Sequence, residues 1–208
     1  NHPPHLVLKR ILIDSLSNKK YGVIYADCPW LYDDARSHAS TGMARSAYEC
    51  MPLVDIMSLP VEDYAADNCM LCLWATMPKL IDAFEVIYAW GFRYLTTGFV
   101  WVKLRRGKDG FPISEQRDFH SGLGHWVNGN AELVLLARKG MPQRLRKDIK
   151  QIVIAPVGKH SAKPEEVRHR IEQLFPGPYL ELFARSYAPG WDVWGNQVDS
   201  TVLIGDIT

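Results

Sequence analysis

The chain has 208 residues, 47% of them hydrophobic, with a formal net charge of +1. That length and apolar content suit one globular domain with a substantial core, and the near-neutral balance gives no bulk electrostatic attraction to nucleic acid. No run of about 18 uninterrupted apolar residues occurs, and the opening Asn1-His2-Pro3-Pro4-His5 lacks the charged-then-apolar order of a signal peptide.

The expectation is therefore a soluble, cytoplasmic protein without membrane association, one domain over residues 1–208 with its core at about 21–198. Asn1 in place of methionine suggests that the native start lies elsewhere.

Taken in chain order, the short apolar runs expected as strands are Tyr21 to Ala26, Cys69 to Trp74, Gly98 to Lys103, Glu132 to Arg138, Gln151 to Ala155 and Tyr179 to Ala184. Helical segments and loops separate them, the pattern of an α/β fold with a mostly parallel sheet and helices on its faces. A helix is expected from Pro78 to Trp90, with Leu80, Ile81, Phe84, Ile87 and Tyr88 on its inner face and Gly91 as its stop. A second begins near Lys163-Pro164-Glu165-Glu166, buries Val167, Ile171, Leu174 and Phe175, and ends at Pro176-Gly177-Pro178. Ser200 to Thr208 reads as an edge strand or a tail.

Cys69 and Cys72 have Cys-x-x-Cys spacing but lie in an apolar run that reads as a buried strand, where alternation sends residues three apart to opposite faces. No metal is expected. Between about Leu104 and Asn130 the periodicity lapses into a long segment rich in Gly, Arg, His and Ser, and loops this long in compact domains are usually functional. Two local basic clusters are candidate phosphate contacts: Lys103, Arg105, Arg106 and Lys108, then Arg138, Lys139, Arg144, Arg146, Lys147 and Lys150.

The first strand runs into Asp27-Cys28-Pro29-Trp30. Ligands of open α/β sheets gather outside the carboxyl ends of strands, and this one ends in an acid, a proline-constrained backbone and an aromatic ring. The set suits an amine on a flat base. Adenine's exocyclic nitrogen is a poor nucleophile because its lone pair is delocalised. A carboxylate accepting one hydrogen and a backbone carbonyl accepting the other would orient it, with Asp27 and the carbonyl of Cys28 or Pro29 as acceptors and Trp30 stacking on the base. On these residues alone, a turn begun by Asp27 and shaped by Pro29, with Trp30 in the core, explains the motif equally well.

Asp27-Cys28-Pro29-Trp30 resembles the Asp-Pro-Pro-Trp motif of amino-methyltransferases. The chain from about Tyr21 to Val198 resembles the adenine N6-methyltransferase family of messenger-RNA writers and bacterial and phage DNA-modifying enzymes. Further matches are Leu73-Trp74, Trp101-Val102-Lys103, Gly124-His125-Trp126 with Glu132 and Lys139-Gly140, Lys163-Pro164-Glu165, Glu181-Leu182-Phe183-Ala184-Arg185 and Gly195-Asn196-Gln197.

The resemblance implies a Rossmann-like class I methyltransferase fold in the β-class order, catalytic motif before cofactor motif, using S-adenosylmethionine and releasing S-adenosylhomocysteine. It implies that Lys163 and Arg185 help hold the cofactor, that Asn196 and Gln197 bind its ribose and adenine parts, and that Tyr187, where the messenger-RNA writers have histidine, is a further contact. Tyr48 resembles a tyrosine of the mobile loop after the catalytic motif. Cys28 replaces a proline and keeps its carbonyl; as a nucleophile it has no role, since transfer to an amine needs no covalent intermediate.

Direct in-line transfer to adenine is expected, with base flipping for a duplex. Arg105, Arg106 and Trp30 are further candidate substrate contacts, and His125 and Trp126 either contact substrate or anchor the loop. The compact chain looks more like the bacterial or phage branch, which favours DNA over RNA. The rival is a non-catalytic nucleic-acid-binding subunit of the same fold. A monomer, a homodimer and a heterodimer with a related subunit all remain open.

Overall fold

The computed structural model describes residues 19–32, 50–108, 112–122, 126–158 and 162–204. Its frame is a seven-stranded sheet of β1 (Tyr21–Ala26), β2 (Ala65–Ala75), β3 (Arg93–Leu104), β4 (Ala131–Lys139), β5 (Ile152–Pro156), β6 (Tyr179–Leu182) and β7 (Trp191–Trp194), in the order β5-β3-β4-β2-β1-β6-β7. Each strand predicted from the sequence is present, several longer than their apolar runs. The β1–β2, β1–β6, β3–β5 and β6–β7 pairings are parallel. β4 is inverted and pairs antiparallel with both β2 and β3.

That inversion decides what surrounds the site. The carboxyl ends of six strands point one way, and the amino end of β4, with Glu132, joins them.

Helices pack on both faces. α1 (Leu53–Ser58) and α2 (Leu80–Ala89) sit on one, where Ile56, Ala83, Val86 and Ile87 join Ile24, Leu71 and Leu73 in one core cluster. α3 (Glu165–Leu174) covers the other, with Val167, Ile171 and Phe175 against Val23, Tyr25, Cys72 and Trp74. Cys69 belongs to the first cluster and Cys72 to the second, as strand alternation requires.

α3 starts after Pro164 with two acids in its first turn, which suits the positive end of the helix dipole. α2 closes on Gly91 at φ 79, with Gly91 N–H donating to the Tyr88 carbonyl and Phe92 N–H to that of Ile87, the Schellman pattern that glycine permits.

Several expectations are corrected. The helix near Pro78 begins with a 3-10 turn, Met77–Lys79, and its inner face is Ala83, Val86 and Ile87 with Leu80 and Phe84 packed beside them, as predicted for Leu80, Phe84 and Ile87; Ile81 and Tyr88 are exposed. Large apolar side chains outweighed small Ala83 in the sequence reading, although the 3.6-residue period alone sets the face. α1 and β7 have no counterpart among the predicted elements. α1 is only six residues long, and β7 is four residues, Trp191-Asp192-Val193-Trp194. Residues 200–204 form no strand; Thr201 instead tethers to β7 through its N–H to the Val193 carbonyl. Among the described residues no helix is long and apolar enough to cross a membrane.

Candidate active site

The carboxyl end of β1 delivers Asp27 to the point where the chain turns to β2 on one side and β6 on the other, the switch point where open α/β sheets bind ligands. Three cavities meet at its side chain. The largest, about 510 Å³, is also lined by Pro29, Met51, Phe183, Arg185, Trp194, Gly195, Asn196 and Gln197. A smaller one, about 170 Å³, is lined by Cys28, Trp30, Tyr32, Trp74, Thr76, Glu132 and Lys163. A third, about 210 Å³, runs along the start of α3 past Lys163, Arg168, Glu181 and Arg185.

Lys163 Nζ lies 3.0 Å from Asp27 Oδ1 and Arg185 Nη2 3.3 Å from Asp27 Oδ2. The same Lys163 Nζ is 2.8 Å from Glu132 Oε2 and stands 5.2 Å from the centre of the Trp74 ring. Burial opposes its charge, but Asp27 and Glu132 outweigh burial, and the ammonium is held more firmly protonated than an ordinary lysine. Glu132 is nearly buried; burial pushes its carboxyl up, Lys163 and Lys103 pull harder, and the net shift is downward. Lys103 Nζ sits 2.5 Å from Glu132 Oε1. Beneath the cluster, Trp74 donates its indole N–H to the Tyr25 hydroxyl at 2.6 Å. Glu181 pairs with Arg168 at 2.8 Å, yet burial leaves its carboxyl above the ordinary range.

The backbone of the motif is fixed. The Cys28 carbonyl accepts from Trp30 N–H and the Pro29 carbonyl from Met51 N–H, both at 2.9 Å. A carbonyl oxygen has two lone pairs, so each retains one for a ligand. The Cys28 thiol is buried and pushed well above its ordinary pKa by that burial, and Asp27 pushes in the same direction, which makes it a poor nucleophile.

On the opposite wall, Phe183 ends β6 at φ 59, a left-handed conformation that is strained for a bulky residue and tends to accompany ligand sites. Gly195 follows β7, and a Cβ there would fall 2.3 Å from the Ala184 carbonyl. Only glycine lets the chain turn there against β6 and present Asn196 and Gln197 to the cavity.

The structure thus brings Asp27, Cys28, Pro29, Trp30, Lys163, Arg185, Asn196 and Gln197 around adjoining cavities. Trp30 is 6% exposed and part of the core cluster with α1 and α2, while still lining the smaller cavity. Tyr187 is exposed, is not among the lining residues of these three cavities and donates to the Asp199 carbonyl. Lys103, one of the candidate phosphate contacts, pairs with Glu132.

Arg105 and Arg106 lie just past the carboxyl end of β3, at the same end of the sheet as Asp27, with Arg106 Nη2 donating to the Gly158 carbonyl. Trp126 is 96% exposed in the loop leading into β4. Tyr48 and His125 lie outside the described residues. The sequence named Trp74 and Glu132 only as motif matches, without a role in the site, and left Tyr32 out; Glu132 also carried the signal of a charged residue at the start of an otherwise apolar run.

The family model described as MT-A70 matches residues 21–197. The Type II methyltransferase M.MunI of Mycoplasma sp. is 30% identical over 201 residues, covering 88% of this chain and 80% of its own. The N(6)-adenosine-methyltransferase catalytic subunit METTL3 of Homo sapiens is 30% identical over 190 residues, 89% of this chain and 29% of its own. The N(6)-adenosine-methyltransferase MT-A70-like protein of Arabidopsis thaliana is 28% identical over 89% of this chain and 25% of its own. The chain therefore spans most of the Mycoplasma protein and under a third of the two eukaryotic ones. The site at the β1–β6 switch point and a match over nearly the whole sheet lead to one conclusion: this chain belongs to the MT-A70 family, with its Rossmann-like class I methyltransferase fold.

Proposed function

We propose that the protein transfers a methyl group from S-adenosylmethionine to the N6 amino group of adenine in DNA. The observation that carries this reading is the Asp27 carboxylate, placed where a large and a small cavity meet, each of a different character.

The large cavity falls within the usual size range of cofactor pockets, and its residues fit the cofactor. Arg185 supplies a cation for a carboxylate or hydroxyls, Asn196 and Gln197 supply paired donors and acceptors, and Gly195 leaves room for a close approach, while Lys163 holds Asp27 from the two adjoining cavities. When bound, S-adenosylmethionine supplies an electrophilic methyl group. The small cavity suits the flat base, with Trp30 and Tyr32 as aromatic walls.

Asp27 accepts one hydrogen of the amine. The Cys28 carbonyl, from a residue lining the same small cavity, accepts the other, which orients the nitrogen and favours its tetrahedral geometry. Lys163, held from the far side by Glu132, fixes the Asp27 carboxylate. The nitrogen must lose one proton on becoming a secondary amine, and Asp27 is the acceptor at hand. Arg105, Arg106 and Trp126 stand at the same end of the sheet to meet the flanking strand.

DNA is preferred because a relative 30% identical over 88% of this chain is a Type II methyltransferase of Mycoplasma sp.. Adenosine in RNA is the second reading, supported by the human and plant relatives, which are named as N(6)-adenosine-methyltransferases.

The test incubates the wild type and Asp27→Ala with labelled cofactor and matched DNA and RNA oligonucleotides, with mass spectrometry of the nucleosides. N6-methyladenine in DNA is expected from the wild type, and a loss of at least about 100-fold from Asp27→Ala. Cys50 is exposed and lines the large cavity, so S-adenosylhomocysteine should protect it from alkylation in both proteins. An active Asp27→Ala, or methylcytosine as product, overturns the assignment; label in RNA alone transfers it to the second reading.

A further inference from the structure

The two basic clusters of the sequence lie at opposite ends of one strand. β5 is the edge of the sheet. Beyond its carboxyl end Arg106 grips the Gly158 carbonyl, with Arg105 and Lys108 beside it sharing the single carboxylate of Asp118 at 4.0 and 3.5 Å. Immediately before its amino end runs the exposed stretch that carries Arg144, Arg146, Lys147 and Lys150, in which Asp148 is the one acid and is spent on Arg146 at 2.6 Å.

That stretch is pinned in place. Leu145 N–H donates to the Leu174 carbonyl at the end of α3, and Arg146 reaches Gln173. Past the start of β5, Arg93 of β3 and Arg138 of β4 are directly opposed in the antiparallel ladder. Facing like charges cost stability in a sheet, and no ion pair to a carboxylate is found for either among the described residues.

The edge between the clusters is guarded by a cation as well. Arg170 of α3 donates to the Lys150 carbonyl at 2.6 Å and the Ile152 carbonyl at 2.9 Å, which blocks the pairing of another strand there. β5 is five residues long, about 17 Å at roughly 3.3 Å per residue, or about five steps of a duplex strand at about 3.4 Å each.

We infer that the β5 edge is a phosphate track: the sugar-phosphate backbone flanking the target adenine leaves the catalytic end past Arg105 and Arg106 and continues along β5 to Arg144, Lys147 and Lys150. The inference rests on the proposed function for the position of the target base and adds the path of the substrate. It also accounts for a protein of net charge +1 acting on a polyanion, since the charge is concentrated along one edge.

The test measures binding of the wild type and variants to an adenine-containing DNA duplex of about 20 base pairs, roughly two helical turns, as a function of salt. Arg144→Gln, Lys147→Gln and Lys150→Gln should each lower the salt slope by about 1, and the triple variant by about 3. Lys20→Gln, whose cation donates to the Asp63 carbonyl at the amino end of β1, four strands across the sheet from β5, should leave the slope unchanged. An unchanged slope in the triple variant overturns the track, as does an equal fall with Lys20→Gln. Wild-type methylation of the same duplex is followed in parallel: the expected fall in slope without N6-methyladenine sinks the proposed function and leaves the track standing, whereas methylation with slopes unchanged in the variants does the reverse.

Discussion

Lys163 holds one positive charge between two carboxylates, 3.0 Å from Asp27 and 2.8 Å from Glu132, above an indole ring. The sequence made Asp27, Lys163 and Arg185 legible because each sits in a motif at the end of a strand or the start of a helix. Their chemistry, carboxylate beside ammonium and guanidinium, is independent of the path between them. Glu132 was legible only as a motif match within the resemblance, since by itself a lone acid at the head of an apolar run is usually a solvated strand end. Gly195 is a residue whose role is purely spatial. Gly195→Ala places a methyl 2.3 Å from the Ala184 carbonyl and 2.8 Å from its nitrogen, backbone atoms that yield only if β6 and β7 part. We expect a destabilisation of about 1–3 kcal/mol with loss of S-adenosylhomocysteine binding, measured by calorimetric titration of the folded variant. Wild-type affinity in that variant would show that the turn after β7 does not shape the cavity.

At the scale of elements, β4 and β5 do what their sequences do not announce. An apolar run such as Ala131–Lys139 has the same pattern in either direction, so periodicity predicts the strand and is silent on its orientation. The inverted pairing sets Glu132 opposite Trp101 at the catalytic end; a parallel β4 would have carried it to the far end of the sheet. β5 is a short edge strand closed by Arg170, which also pairs with Glu166 at 2.7 Å. Arg170→Ala removes two hydrogen bonds to edge carbonyls, and at about 1 kcal/mol each it should lower stability by about 2 kcal/mol in urea unfolding. A midpoint equal to that of the wild type would mean that water satisfies those carbonyls as well as the guanidinium does.

For the molecule as a whole, the ionic cluster at the site links stability to pH. Glu132 has a folded-state pKa below its ordinary value of about 4.3. A depressed carboxyl contributes stability that is fully present above the unfolded value and is lost as pH falls through the folded one. The wild type should therefore lose stability progressively below about pH 4.3. Glu132→Gln, which leaves two half-buried lysines short of a carboxylate, should start about 3 kcal/mol lower at neutral pH and show a shallower acid dependence. Urea midpoints from pH 7 to pH 3 decide it, and parallel curves for the two proteins would remove Glu132 from the cluster.

The sequence by itself determined the α/β class, the strands from β1 to β6, the helix at Lys163-Pro164-Glu165 and the family, because periodicity and motif order are local properties of the chain. Only the tertiary structure decided that β4 runs backwards, that Lys103 pairs with Glu132, that Tyr187 lies outside the lining of the three cavities at Asp27, and that two basic clusters share one edge. Each of these depends on which strands are neighbours and in which direction they run, and no local pattern encodes that.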